Sequence, residues 1–152
     1  MAFLSSFNIP VSAMTAQQFR LDIISQNVAN ADNIATNPED VYKRQMVVFN
    51  EDKTFKKILW TKMGEHVAKR FNYVQLRGVE ATRVVEDPTP PTPVYSPDNP
   101  LADEFGYVYE SNVDVAIEEM DAIEASNMYN ANVEVFNLVK SMASAALRIG
   151  QG

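Results

Sequence analysis

The C-terminal region contains no glycine and no proline between about Val113 and Ile149, and this feature restricts the fold most. Within it, apolar residues recur at alternating intervals of three and four, as in a heptad repeat. This seam consists of Met128, Ala131, Val135, Leu138, Met142, Ala145 and Ile149. A second apolar row lies beside it, at Val133, Phe136, Val139, Ala143 and Ala146. The sequence therefore predicts one long helix whose apolar face is wider than a two-stranded contact needs.

The polar side of this predicted helix carries unusually little charge. From Ala125 to Ile149 the only charged residues are Glu134, Lys140 and Arg148. A helix face in water normally carries many lysines and glutamates. The pattern favours a helix surrounded by neighbouring helices, although an ordinary helix with a polar outer face is the alternative.

The N-terminal region predicts a second low-charge helix from Pro10 to about Ala31, since proline fits the first turn of a helix. Its seam is Phe7, Val11, Met14, Gln18, Leu21, Ser25 and Val28, and a flanking row holds Ala16, Phe19, Ile23 and Ile24. The two terminal helices can pair within one subunit as a coiled-coil-like hairpin. One apolar row of each helix would then stay uncovered, so we expect further subunits to cover it.

The middle of the chain has a different character. Strands are predicted at Met46–Phe49, Phe71–Leu76, Gly78–Val85 and Phe105–Tyr109. Six of the eight prolines fall between Pro88 and Pro100, which predicts an extended, polyproline-like connector. The expected fold is mainly α with a small β insert. Residues 1–41 form the N-terminal helix and loop, residues 42–110 a central β-rich domain with a basic insert, and residues 111–152 the C-terminal helix.

Composition argues against most enzyme classes. The chain has no cysteine and a single histidine, His66, which excludes thiolate sites, multi-histidine metal sites and histidine-based triads. The acidic residues Glu118, Glu119, Asp121 and Glu124 lie near a predicted helix N-terminus, where the helix dipole stabilises them without any metal or catalysis. We therefore predict no catalytic residue, no cofactor site and no metal site.

Charge and hydropathy also limit the partners. The net charge is −7, which argues against a general nucleic-acid binder. Ten of the thirteen Lys and Arg residues fall within residues 43–83, and we interpret this region as a solvated or subunit-facing surface. No apolar run is long enough for a membrane span, and the N-terminus lacks the pattern of a cleaved secretory signal.

One group of motifs stands above the background. Asn27-Val28-Ala29-Asn30 ends the first helix, and it is followed by Tyr42-Lys43-Arg44-Gln45 and then Val47-Val48-Phe49. This order resembles the N-terminal motif of the bacterial flagellar basal-body rod and hook proteins. The second half is also similar to rod subunits, in the stretches 95–103, 106–108 and 112–114. The segment Asn50–Arg77 departs from the family, because it is longer and more basic than expected.

The resemblance implies a structural subunit of the proximal rod. Such subunits line an axial tube with both terminal helices, hold the small central domain outside, and transmit torque from the rotor to the hook. The implied partners are copies of itself, other rod proteins and, during secretion, the flagellar type III export apparatus. The implied location is the rod in the periplasmic space, reached without a cleaved signal peptide. The alternative is a soluble coiled-coil adaptor or chaperone-like protein that pairs transiently through its terminal helices.

We expect the assembly interface to come from the two helical seams and from the asparagines that end the first helix. These residues are Val11, Met14, Leu21, Ile24, Asn27, Val28, Asn30, Met128, Ala131, Val135, Leu138, Met142, Ala145 and Ile149.

Overall fold

The structure is a computed structural model that describes residues 6–51 and 78–149. Its elements are α1 (Asn8–Ala29), β1 (Ile34–Ala35), β2 (Gln45–Glu51), β3 (Val79–Glu86), β4 (Thr92–Tyr95), β5 (Tyr107–Glu110) and α2 (Val115–Ile149). The predicted fold, two terminal helices with small antiparallel sheets between them, is confirmed. The predicted strand at Phe71–Leu76 and most of the basic segment lie outside the described residues.

The two helices pack side by side in opposite directions. Phe7, directly before α1, contacts Phe136 of α2 edge to face, with ring centroids 5.3 Å apart. At the other end of α1, Asn27 donates a 2.9 Å hydrogen bond to Glu118. The residue numbers of the contacts on α2 decrease from 136 to 118 as those on α1 increase from 7 to 27, so the two helices are antiparallel. Among the described helices and strands, only α1 packs along α2.

Local sequence explains where each helix begins and ends. Pro10 lies in the first turn of α1. At the other end, the N–H of Asn30 donates to the carbonyl of Asn27 and the N–H of Ala31 donates to the carbonyl of Val28, which closes the last turn. Asp114 caps α2, because its Oδ1 accepts the N–H groups of Ala116 and Ile117. The predicted ends of both helices differ from the observed ends by no more than about two residues.

The strands form two separate sheets. β2 and β3 pair as an antiparallel ribbon from Gln45–Glu86 to Glu51–Val79, with an irregularity at Val48/Phe49, and the ribbon packs against α1. The second sheet has the order β1-β5-β4 and is antiparallel throughout.

The predicted polyproline-like connector is wrong in part, because Thr92–Tyr95 forms the strand β4 and pairs with β5. β4 contains Pro93 and lies at the edge of its sheet, where a residue without an N–H is tolerated. The stretch is extended, as expected, but its backbone is hydrogen-bonded in a sheet.

The apolar core is small. Apart from Pro10, only six apolar side chains among the described residues are buried: Ala16, Ile23, Ile24, Val41, Val108 and Ala125. Three of the six lie on α1 and one on α2, so the helix pair holds most of this core. Most of each row beside a seam faces inward, although Phe19 and Ala146 are exposed, and the described α2 seam residues are exposed. None of the described helices combines the length and apolarity needed to cross a membrane.

Candidate assembly site: a polar cluster between the helices and an outward apolar face

Asn27 occupies the centre of the contact between the helices. Its side chain is fully buried, and it uses all four hydrogen-bonding positions of its amide. Nδ2 donates to the Gln45 carbonyl and to Glu118 Oε2, each at 2.9 Å. Oδ1 accepts the Tyr42 hydroxyl at 2.8 Å and the Gln45 N–H at 2.9 Å. One side chain thus connects α1, the start of β2 and α2.

Glu118 is also fully buried, and it is paired with a cation. Its Oε1 accepts a 2.5 Å hydrogen bond from Nε of Arg44, and its Oε2 accepts from Asn27. The Arg44 side chain retains 19 % of its exposure. A buried carboxylate without these partners would cost several kcal/mol, and the contacts with Arg44 and Asn27 offset that cost.

Asp121 extends the ion pairs toward the surface. Its Oδ1 accepts from Arg20 at 2.9 Å and its Oδ2 from Arg44 at 2.8 Å, and Arg20 also reaches Glu124 at 3.0 Å. The Arg20–Glu124 pair is solvent-exposed, so we expect little stability from it. We call Arg20, Asn27, Tyr42, Arg44, Glu118 and Asp121 the polar cluster.

The pKa values of two members follow from this geometry. Burial would lower the pKa of Arg44, but the hydrogen bond and charge of Glu118, together with two nearby aspartates, raise it overall. Burial raises the pKa of Tyr42, and the negative charge of Glu118 raises it further. At neutral pH Arg44 is therefore charged, and Tyr42 is a neutral hydrogen-bond donor.

The backbone around Arg44 is held as firmly as its side chain. The Arg44 N–H donates to Asn112 Oδ1 at 2.7 Å, and the Arg44 carbonyl accepts the N–H of Asp87 at 2.8 Å. Asn112 also donates to the Thr89 carbonyl at 2.9 Å. The segment leading into β2 is thus joined both to the end of β3 and to the residues just before α2.

A cavity of about 330 Å³ lies beside the polar cluster and is lined by Arg20, Ile23, Arg44, Phe49 and Glu118 among others. Its charged side chains are engaged with one another. In residues 6–51 and 78–149, no group of three His, Cys, Asp or Glu side chains could hold a metal ion. This arrangement is suited to fixing the register of the two helices.

The second feature is an apolar surface on the side of α2 that faces away from α1, which we call the outward face. Its largest exposed side chains are Met128, Val135, Leu138 and Met142, with 49 %, 47 %, 60 % and 57 % of their surface accessible. Ile117 and Met120, 51 % and 72 % exposed, continue this face toward the start of the helix. The exposed carboxylate of Glu124 lies on this face between Met120 and Met128, so its uninterrupted apolar part runs from Met128 to Met142. Isolated exposed apolar residues are common in soluble proteins, but a row of this length favours an interaction surface.

The predicted interface residues separate into three groups. Eight are exposed: Val11, Val28, Met128, Ala131, Val135, Leu138, Met142 and Ala145. Three are half-buried: Met14, Leu21 and Asn30. Ile24 and Asn27 are buried within the subunit, and Asn27 makes all its hydrogen bonds there. The side chain of Ile149 lies outside the described part of the chain.

Sequence reasoning missed most of the polar cluster. From the sequence, the helix dipole is sufficient to explain the acidic group of α2, whereas in the structure Glu118 and Asp121 pair with arginines from distant parts of the chain. One signal was available. Glu118 precedes Phe136, which belongs to the apolar row beside the seam, by 18 residues or about five helical turns, and this spacing places a carboxylate on the same face as that row.

Comparison with known proteins gives the family. The family described as flagella basal body rod protein matches residues 7–35, and the family described as flagellar basal body rod FlgEFG protein C-terminal matches residues 105–149. The flagellar basal-body rod protein FlgC of Salmonella typhimurium is 38 % identical over 151 residues, covering 99 % of this chain and all of the relative. The chain belongs to the FlgC family of flagellar rod proteins.

Other FlgC proteins match over a similar extent. Those of Yersinia enterocolitica and Bacillus subtilis are each 36 % identical, again over 99 % of this chain and their own full length. The two matched family regions contain α1 and α2, including Asn27 and Glu118. The chain is therefore a structural subunit of the flagellar basal-body rod. The interpretation as a transient adaptor is not favoured, because the likeness to FlgC extends over the whole chain.

Proposed function

We propose that this FlgC-family subunit polymerises through the outward face of α2, together with the exposed apolar residues of α1, to form the wall of the proximal rod. The observation that carries the proposal is the row of half-exposed apolar side chains from Met128 to Met142 on a helix that already has an intramolecular partner on its other side. A head-to-tail contact that does not close into a ring generates a tube or filament, and the proposal assigns this kind of contact to the outward face.

Burial of this face would supply part of the energy of assembly. Complete burial of a Leu, Met or Val side chain is worth about 1.5–3 kcal/mol. The side chains of Met128, Val135, Leu138 and Met142 are roughly half exposed, so burying each would contribute about 1 kcal/mol. Each subunit in a tube has several neighbours, and the contributions add over all of its contacts.

The polar cluster has a mechanical role in this proposal. A shaft that transmits torque from rotor to hook requires subunits whose helices do not slide past each other. Asn27 and the Arg44–Glu118 pair connect both helices to the start of β2 with hydrogen bonds that depend on one register. Sliding by one helical turn would leave Glu118 buried without its cation, at a cost of about 3–5 kcal/mol.

The remaining parts of the proposal rest on membership of the rod family. The subunit contacts copies of itself and other rod proteins, passes through the flagellar type III export apparatus without a cleaved signal peptide, and resides in the periplasmic part of the rod. It has no catalytic role. The three sequence regions 1–41, 42–110 and 111–152 correspond to the N-terminal axial helix, the outer domain and the C-terminal axial helix.

The test is Leu138→Asp, which places a charge in the proposed contact. The matched control is Asn137→Asp, which adds the same charge to the adjacent exposed position on the polar side of α2. Sedimentation velocity of the full chain over a range of concentrations measures self-association, and electron microscopy of basal bodies from complemented cells measures rod formation. We expect Leu138→Asp to weaken self-association by a factor on the order of 100 or more and to abolish rods.

Circular dichroism of both variants checks that the helices are retained, since position 138 lies on the exposed side of α2. The control should assemble nearly as wild type. Normal rods in cells carrying Leu138→Asp, or an equal defect in both variants, would contradict assembly through this face.

A further inference from the structure

The turn between β4 and β5 carries an exposed aromatic surface that takes no part in the helix pair. Tyr95 and Tyr107 lie opposite each other on the paired strands, with ring centroids 5.3 Å apart in an edge-to-face arrangement. Phe105, in the same turn, has 78 % of its surface accessible, and Tyr95 has 65 %. We call Tyr95, Phe105 and Tyr107 the aromatic tip. Aromatic side chains exposed to this extent are characteristic of interaction surfaces.

The backbone of the turn is held in one conformation. Asp103 Oδ1 accepts the N–H groups of Phe105 and Tyr107, each at 2.8 Å, and the Ser96 N–H donates to the Gly106 carbonyl at 2.9 Å. Gly106 has a φ of 83°, and a Cβ there would lie 3.0 Å from the Tyr95 ring. The aromatic tip is therefore preorganised, which reduces the entropy lost when it binds a partner.

The sequence on both sides of the aromatic tip carries charge of one sign. Between residues 84 and 139 the sequence contains twelve acidic residues and no Lys or Arg. Two of these acidic residues, Asp98 and Glu104, are exposed in the turn itself. Aromatic rings beside carboxylates favour lysine and arginine, whose apolar stems cover the rings while their cationic ends reach the ring faces and the acidic groups.

The chain contains its own region of this chemistry, since residues 43–83 hold ten of its thirteen cationic residues. Strand β2 and most of β3 belong to this region. The ribbon that they form packs against α1, and its strands make no contact with the strands of the sheet that carries the aromatic tip. We infer that the aromatic tip binds the basic region 43–83 of a second copy of the chain. This inference rests on the proposed polymerisation, which brings copies together.

The expected strength of the contact suits a position at the periphery of an assembly. Exposed ion pairs and cation–aromatic contacts each change affinity only about two- to fivefold. The aromatic tip alone would not hold a dimer together, but repeated contacts along a polymer act together. We therefore expect it to orient neighbouring subunits whose helices supply most of the affinity.

Photo-crosslinking of the full chain tests the inference directly. Benzoylphenylalanine replaces the exposed Phe105, and equal amounts of ¹⁴N and ¹⁵N protein are mixed at concentrations where the chain self-associates. Mass spectrometry then identifies crosslinked peptides and shows whether both halves come from one copy. We expect mixed-isotope crosslinks from position 105 to residues 43–83. Crosslinks only within one copy, crosslinks mainly to other regions, or no mixed product in the assembled protein would each overturn the inference.

The charge dependence is tested with a pair of double variants. Asp98→Asn with Glu104→Gln removes two charges beside the aromatic tip, and Glu39→Gln with Glu119→Gln removes two exposed charges elsewhere. We expect the first variant to reduce the yield of mixed crosslinks at least threefold, with a larger effect at low salt, and the control to change it little. Equal yields from both double variants would contradict charge-dependent recognition.

The two proposals fail differently. A chain that sediments as a monomer at every concentration contradicts polymerisation. A chain that assembles in a manner dependent on Leu138, but whose position 105 never reaches residues 43–83 of another copy, contradicts only the role of the aromatic tip.

Discussion

Replacing Glu118 with glutamine tests whether the polar cluster stabilises the helix pair. The side chain keeps its size but loses its charge and one acceptor. Oε1 now accepts from Arg44 Nε and Oε2 from Asn27 Nδ2, so the glutamine amide group must face one of these two donors. In either orientation one buried hydrogen bond is replaced by a donor facing a donor.

The expected magnitude follows from what remains. Breaking a buried ion pair by removing one partner costs about 3–5 kcal/mol. Arg44 is 19 % exposed and keeps Asp121 at 2.8 Å, so its charge is not left without compensation. We therefore expect a loss of about 2–3 kcal/mol, which lowers the melting temperature of a chain of this size by roughly 5–10 °C.

Thermal and urea unfolding of the full chain, followed by circular dichroism at a concentration that keeps it monomeric, measures this loss. The matched control is Glu119→Gln, which removes the same charge from the adjacent exposed position and should change stability by less than about 0.5 kcal/mol. If Glu118→Gln unfolds within about 0.5 kcal/mol of wild type, the cluster does not hold the helices together and the reasoning is refuted.

Three further predictions concern pH and dynamics. Because the pKa of Tyr42 is raised, its contribution to stability should be complete below about pH 10 and lost as the pH rises through the pKa of the folded state. The variant Tyr42→Phe should be about 1 kcal/mol less stable than wild type at neutral pH and should lack this alkaline loss. Urea unfolding at several pH values measures both effects. Hydrogen bonds from Thr89 lower the pKa of Asp87, so its contribution should be complete above about pH 4 and lost as the pH falls through the folded value. Asp87→Asn should show a smaller acid-induced loss than wild type, and an unchanged loss would contradict the assignment. Amide exchange in the dilute protein should be faster for residues 137–149 than for residues 116–130, where α1 covers the helix, and uniform protection along α2 would argue against this view.

Much of the secondary structure could be predicted because it depends on short-range patterns. The absence of glycine and proline across α2, and the three–four spacing of its apolar residues, predict a long helix without reference to the rest of the chain. β4 was missed because two of its neighbouring prolines and Pro93 itself argue against a strand, and only its pairing with β5 compensates for the lost backbone donor.

The polar cluster could not be predicted in the same way, because its members come from separate parts of the chain. Asn27 and Glu118 are 91 residues apart, and Arg44 and Asp121 are 77 apart. An Asn near the end of a helix is well explained by capping, and a Glu near the start of one by the helix dipole. Each residue alone has an adequate local explanation, and only the antiparallel packing of the helices brings them together.

The unequal lengths of the two helices have a consequence for the shape of an assembly. α2 has 35 residues and α1 has 22, and α2 continues for 13 residues past Phe136, where it meets the start of α1. At 1.5 Å per residue, this extension measures about 20 Å. In the proposed polymer, such an extension would overlap the next subunit along the axis, so the junctions between successive subunits would be staggered instead of lying in one plane. A staggered wall has no single cross-section at which every joint can open together, and a bending or twisting load is shared between neighbouring layers.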